Sequence, residues 1–217
     1  MHLVLFDMDH TLIPADSGTL WAQFLYEQGR LSDEQMATRE KFLHQYNAGT
    51  LKVEDAYSFD IGVLSSLGED APELLTEYFQ HRVLPIISQA ARDKVQFHLD
   101  AGHYVVMITA TLEEMARPVA EFFGMHHLIG GKAKRDASGN YTGELEDLGP
   151  CMGRGKLVHL EDWLTTSGNN PSEYTFYSDS HNDLPLLEQV DTPIAVDPDD
   201  SLRAIAVENN WQIISFY

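Results

Sequence analysis

Leu3-Val4-Leu5-Phe6-Asp7-Met8-Asp9-His10-Thr11, close to the first residue, decides how the rest of the chain is read. Residues 3–6 form a short apolar run that ends abruptly on a carboxylate, the pattern of a buried parallel strand. Asp7 and Asp9 then stand two residues apart where that strand ends, and open α/β sheets keep their ligand crevice beyond the carboxyl ends of the strands. A bare Asp-x-Asp is more often a solvated loop. Its weight here comes from clusters elsewhere in the chain.

Residues 104–108, 174–177, 193–196 and 211–216 also read as strands, with amphipathic stretches between most of them. That alternation predicts an α/β fold with a doubly wound, mostly parallel, Rossmann-like sheet. The interval between the first two strands differs: residues 18–29, 32–47, 52–67 and 70–82 all carry helical spacing with no strand between them. An all-helical insertion over 15–84 is therefore expected within a core of 1–14 and 85–217, with a linking helix over 85–101. Ser32-x-x-Gln35 and Thr111-x-x-Glu114 read as capping boxes, and Asp70 with Glu73 as a similar helix start. Gly29, Gly49, Gly68, Gly102 and Gly124 stand where helices should end. Residues 132–135 and 141–145, joined through 136–140, suggest a small surface hairpin. The stripe Trp21, Phe24 and Leu25 reads as core of the insertion.

The chain has 217 residues, the size of one large domain or of a domain with a sizeable insertion, and at 43% hydrophobic content it can fill a core. Its net charge of −20 disfavours nucleic acid and anionic membrane surfaces as partners. A small anionic substrate stays compatible, because a metal and one or two local cations reverse the field inside a pocket. A single cysteine, Cys151, excludes an internal disulfide and four-thiolate zinc sites. The expected setting is cytoplasmic, since the first residues lack a basic region and an apolar signal core, and no apolar run could span a bilayer. The Asn140-Tyr141-Thr142 sequon is read as chance. Nothing in the sequence indicates an oligomeric state.

Three further clusters carry chemistry. Thr109 follows the strand at 104–108 and precedes a helix, so its hydroxyl and nearby amides could hold an anion. Lys156, within Gly153-Arg154-Gly155-Lys156, lies in the first turn of a helix, where a cation is misplaced relative to the helix dipole and therefore suggests a role. Arg154 reads as a solvated charge. The glycines around it do not make a nucleotide P-loop, since Pro150 and Leu157 occupy positions that need Gly and Ser or Thr. Ser178-Asp179-Ser180-His181-Asn182-Asp183 follows the strand at 174–177 and adds two aspartates. Four aspartates at one sheet edge repel each other unless a cation sits among them, and Mg²⁺ suits such an oxygen donor set. His10 and His181 border the acidic clusters, but no third ligand or His-x-x-x-His pair supports zinc.

The ordered set Asp7-x-Asp9-x-Thr11, Thr109, Lys156 and Asp179 with Asp183 resembles the haloacid-dehalogenase-like (HAD) hydrolase superfamily, specifically its phosphoserine-phosphatase-like branch with a helical cap. The resemblance covers nearly the whole chain. It implies that Asp7 is a nucleophile forming an aspartyl-phosphate and that Asp9 protonates the leaving alcohol and then activates water. It also implies that Thr109, Ala110, Lys156 and Asn182 bind the phosphoryl group. Asp7, the main-chain carbonyl of Asp9, Asp179 and Asp183 would serve Mg²⁺. Asp9, if it lies off the metal near other carboxylates, should keep a proton to donate.

The substrate implied is a small phosphomonoester, because a helical cap would exclude water during the chemistry. Asp16 stands where phosphoserine phosphatases carry an amine-binding glutamate. The cap arginine of those enzymes is replaced by Ser58 on an ungapped count from Gly49 and Leu51, and Arg39 and Arg82 offer no evident substitute. A substrate carboxylate would then lack a bidentate partner. An amino-alcohol phosphate fits better, and histidinol phosphate is the leading named substrate, since relatives with similar Asp-x-Asp-His-Thr-Leu and Tyr-Ser-Asp-Ser-His-Asn-Asp-Leu-Pro segments are described as histidinol-phosphate phosphatases. Phosphoserine hydrolysis, transfer of the phosphoryl group to an alcohol, and non-catalytic phosphate binding are the other readings.

Overall fold

The computed structural model describes residues 1–48, 50–139 and 141–217, with the backbone alone for Asn47. The opening apolar run forms β1 (His2–Phe6). Four helices follow before the next strand: α1 (Ser17–Glu27), α2 (Asp33–Asn47), α3 (Val53–Leu67) and α4 (Ala71–Tyr78). The helical path continues through a π turn at Phe79–Val83 and a 3₁₀ turn at Leu84–Ile86, and then α5 (Gln89–Asp100) leads back to the sheet. β2 (Tyr104–Leu112), α6 (Glu113–Phe122) and β3 (His127–Gly131) come next, then the hairpin β4 (Ala133–Arg135) and β5 (Tyr141–Leu145). The chain closes with α7 (Arg154–Ser167), β6 (Glu173–Ser178), α8 (Leu184–Leu187), β7 (Thr192–Val196), α9 (Asp200–Glu208) and β8 (Gln212–Ile214).

The six-stranded sheet runs β3-β2-β1-β6-β7-β8, and every pairing in it is parallel. From β1 the chain builds outward to β2 and β3, then returns to β6 on the other flank. β1 is therefore the point at which strand order reverses, where such sheets bind ligands. Register explains what gathers there. Phe6 pairs with Met107 on one side and Tyr177 on the other, so the residues just after each partner reach the same edge. The amide of Asp7 extends the ladder by donating to the Tyr177 carbonyl at 2.9 Å.

Alternation along β1 divides the core. Val4 and Phe6 join the cluster under α1, α3, α4, α5 and α6, while Leu3 and Leu5 join that under α7, α8 and α9. All four are fully buried, each contributing about 1.5–3 kcal/mol by burial. Trp21, Phe24 and Leu25 lie in the first cluster, as core of the helical insertion.

Several local expectations need correction. β2 continues through Thr111 to Leu112, so the Thr111/Glu114 capping box does not form; α6 starts at Glu113 without a side-chain cap. Asp70 does not cap α4 either, and instead pairs with Arg30 at 3.0 Å. The Ser32/Gln35 box is present. The linking helix starts at Gln89 rather than near 85, capped by Ser88, and the last strand is only Gln212–Ile214. β3 was not anticipated: Leu128 and Ile129 are followed by Gly130 and Gly131, a pair that reads as a turn. Those glycines are small for a reason. A Cβ on Gly131 would lie 2.3 Å from the Tyr57 ring of α3, and one on Gly130 would lie 2.9 Å from the Thr111 carbonyl. The expected helix end at Gly49 and the sequon residue Asn140 lie outside the described residues.

Beneath the sheet, His98 is 5% exposed and bonds His103 Nδ1 at 2.9 Å and the Tyr177 hydroxyl at 2.8 Å. Burial first, then neighbouring His103, depresses its pKa to about 4. The unfolded chain therefore binds a proton at His98 before the folded one does, and stability is lost as pH falls from the ordinary histidine value of about 6.5 toward 4. Thermal melts at pH 7 and pH 5 should show a smaller acid loss for His98→Gln than for the parent chain; equal losses would remove His98 from this account.

Candidate active site

At the carboxyl ends of β1, β2 and β6 lies a cavity of about 120 Å³. Asp7, Asp9, Thr109, Ala110, Lys156, Asp179, Asn182 and Asp183 all line it, as does Asp16. The expected convergence of distant segments is thus present in the fold, and the side chains sort into three groups.

The first group centres on Lys156. Its side chain is 2% exposed, and Nζ donates to Asp7 Oδ1 at 2.8 Å and Asp183 Oδ2 at 2.7 Å. Ser178 Oγ donates to the same Asp183 oxygen at 2.7 Å, and Thr11 Oγ1 donates to Asp179 Oδ1 at 3.1 Å. Gly155 lets the first turn of α7 fold tightly against the preceding loop, since a Cβ there would lie 2.1 Å from the Pro150 carbonyl oxygen. Burial is the main cause that raises Asp7 to about 6, with Lys156 opposing it. Asp179 is pushed up to about 8, by burial and then by the charges of Asp7 and Asp183.

The second group holds Asp9. Its carboxyl does not join the other three aspartates; Ser17 donates to it through its amide (3.2 Å) and Oγ (2.9 Å), and Thr111 Oγ1 donates at 3.0 Å. Burial, and then Asp16, raises its pKa to about 8. Burial and Asp16 thus favour the protonated form of Asp9, while the bonds from Ser17 and Thr111 pull the other way and hold the carboxyl in place.

The third group belongs to the helical insertion. Asp16 caps α1 by accepting from the Thr19 amide at 2.6 Å. Arg39, on α2, is 9% exposed and donates to Asp16 Oδ1 at 2.7 Å and Asp60 Oδ2, on α3, at 3.4 Å. Although burial works against it, Arg39 together with the Thr19 bonds holds Asp16 below the usual carboxylate range. Arg39, which offered no evident substitute for the cap arginine, nevertheless lines the cavity, lying over Gly18, where a Cβ would come within 2.0 Å of Nη2. Arg82 pairs with Glu27 on the exterior, and Ser58 is exposed. Tyr46 closes the wall; Asn182 Nδ2 donates to its hydroxyl at 3.3 Å, and that hydroxyl also meets Ser180 Oγ at 3.4 Å.

Other sequence expectations fare unevenly. Thr109 lies inside β2 rather than at a helix start, its Oγ1 accepting from the Thr111 amide at 3.1 Å. Asn182 bonds Tyr46. His181 pairs with Asp199 at 2.8 Å, away from the carboxylates. Ser17, Thr111, Arg39, Tyr46 and Asp60 were not singled out as site residues. Only Ser17 had a usable local signal, since it follows an Asp cap.

Among the described residues no group of three or more His, Cys, Asp or Glu side chains closes to metal-ligating geometry, the Lys156 ammonium lying between two of the carboxylates. The donor chemistry nevertheless suits a hard divalent cation. Asp7, Asp179 and Asp183 are oxygen donors and outnumber the one ammonium.

Comparison with known proteins places this arrangement in a family. The family model for haloacid dehalogenase-like hydrolase matches residues 4–188. A histidinol-phosphatase of Neisseria meningitidis is 36% identical over 220 residues, covering 99% of each chain. A phosphoserine phosphatase of Mycobacterium tuberculosis is 31% identical over 231 residues, covering 97% of this chain and 70% of the relative. A crystal structure of a Bordetella pertussis protein of unknown function superposes with a TM-score of 0.92 at 38% identity, covering 100% of this chain and 99% of the other. With its parallel sheet, its helical insertion and this full-length similarity, the chain belongs to the haloacid dehalogenase-like hydrolases, as a phosphatase.

Proposed function

We propose that this protein hydrolyses a small phosphomonoester with Mg²⁺ through an aspartyl-phosphate on Asp7, and that histidinol phosphate is its substrate. The observation that carries the reading is the placement of Lys156 between Asp7 and Asp183, beside an Asp9 carboxyl that burial pushes up to about 8. Phosphoryl transfer asks the protein mainly to position an oxygen nucleophile and to neutralise charge on the equatorial oxygens. A carboxylate oxygen of Asp7 attacks phosphorus in line, the bond from phosphorus to the ester oxygen breaks, and the Asp9 proton passes to the leaving alcohol. Asp9, now a base, takes a proton from water as that water attacks phosphorus, returning Asp7 free and releasing phosphate. Lys156 and Thr109 would face the transferred group, and Asp7, the Asp9 carbonyl, Asp179 and Asp183 would hold Mg²⁺, which would supply further positive charge there.

Histidinol phosphate is favoured over phosphoserine for two reasons. The full-length Neisseria relative is described as a histidinol-phosphatase. In addition, both terminal nitrogens of Arg39 are engaged by Asp16 and Asp60, leaving no free fork for a substrate carboxylate. Turnover of the two esters, compared side by side, should favour histidinol phosphate.

Asp7→Asn should abolish turnover of every phosphomonoester while the circular dichroism and melting curve stay those of a folded chain; residual covalent labelling by substrate phosphate in that variant would sink the nucleophile assignment. Ser17→Ala and Thr111→Val should each lower kcat by about tenfold with little change in KM, since each removes a bond to the acid but none to substrate. An effect confined to KM would argue against that role.

In EDTA, the contribution of Asp9 and Asp179 to stability should fall as pH rises from about 4 to about 8. Asp9 and Asp179 titrate near 8 in the folded chain and near 4 when unfolded, so their contribution is full below the unfolded value and is lost as pH rises through the folded one. Mg²⁺ should raise the melting temperature most at the alkaline end and restore activity. A melting curve and a rate both indifferent to Mg²⁺ would count against the metal.

A further inference from the structure

Arg39 is one cation between two carboxylates, all three on the helical insertion and all lining the cavity that holds Asp7. The stronger contact is to Asp16, whose Oδ1 also serves the Thr19 amide. Asp60 receives only the 3.4 Å contact from Nη1, and among the described residues it makes no other hydrogen bond. The cluster therefore carries one carboxylate more than it can balance. Arg39 Nε is itself buried, with no partner among the described residues, and closed to solvent, so the guanidinium is only partly satisfied within this cluster.

We infer that Asp60, rather than Asp16, is the residue that selects the substrate's leaving-group half, by receiving a cationic nitrogen there. The inference rests on the phosphatase reading above and sharpens it. Asp16 is spent on Arg39 and on its own helix, so an incoming ammonium gains little from it. Asp60 has the unmatched charge and is mostly out of water, with a side chain 17% exposed, where an ion pair is screened less than at a surface. A substrate carboxylate meets the opposite situation, excess negative charge and an occupied guanidinium fork. The occupant so defined is a phosphorylated amino alcohol lacking a carboxylate.

The test compares kcat/KM on histidinol phosphate, on glycerol 2-phosphate as a neutral ester and on phosphoserine, for the parent chain, Asp60→Asn and Asp60→Glu, with melting curves as the check on folding. The ratio of histidinol phosphate to glycerol 2-phosphate should drop by about tenfold or more in Asp60→Asn and stay near the parent value in Asp60→Glu. Relative turnover of phosphoserine should rise in Asp60→Asn, since Nη1 of Arg39 is released. Calorimetric binding of histidinol, the alcohol without its phosphate, reads the same charge without turnover and should weaken in Asp60→Asn. A chain that turns over none of the esters overturns the phosphatase reading, and histidinol binding then still decides on Asp60. Unchanged substrate ratios together with unchanged histidinol binding overturn Asp60 alone.

Discussion

The site depends on one buried ammonium. Lys156 Nζ lies between Asp7 and Asp183 with almost no exposure to water. An ion taken this far from solvent costs several kcal/mol unless its attractions offset the loss, and two carboxylates at hydrogen-bond distance provide that offset. The contacts tie three separate segments together: the tip of β1, the first turn of α7 and the loop after β6. Removing the lysine would leave the carboxylates facing one another in a poorly hydrated space, so the residue that can neutralise a transferring phosphoryl group is also the one that makes the acidic cluster tolerable.

The sorting of the aspartates follows from this. Asp7 stays close to the ammonium, while Asp9, one pleat further along the chain, is turned toward Ser17 and Thr111 and lies under the influence of Asp16. Two carboxyls two residues apart thereby acquire different environments, one beside a cation and one among neutral donors. Environments that push paired acids apart in this way are how a nucleophile and a general acid coexist at one pH.

Much of this was legible because it is local. A hydrophobic run that ends on a carboxylate, a lysine in the unfavourable first turn of a helix and an Asp-rich segment after a strand each show themselves within about ten residues, and parallel register then carries them to one edge. Thr111 was misread because its spacing to Glu114 satisfies a capping pattern, yet β2 extends far enough to spend the hydroxyl on Asp9. Arg39 and Asp60 carried no signal at all. They lie on separate helices, and their meeting depends on how α2 and α3 pack over Gly18, which no periodicity encodes. β3 was missed for a related reason, its glycines answering to the Tyr57 ring and the Thr111 carbonyl rather than to a turn.

The helical insertion is fastened unequally. On one side Tyr57 donates to the Ala110 carbonyl with its ring seated on Gly131, and Tyr78 donates to the Ser17 carbonyl at 2.8 Å, both rings being buried. On the other, the Tyr46 hydroxyl makes, among the described residues, a pair of long contacts, 3.3 and 3.4 Å, with the loop after β6. The insertion is thus rooted on the core by the tyrosines of α3 and α4, and the Tyr46 edge of α2 is the cheaper of the two attachments to break.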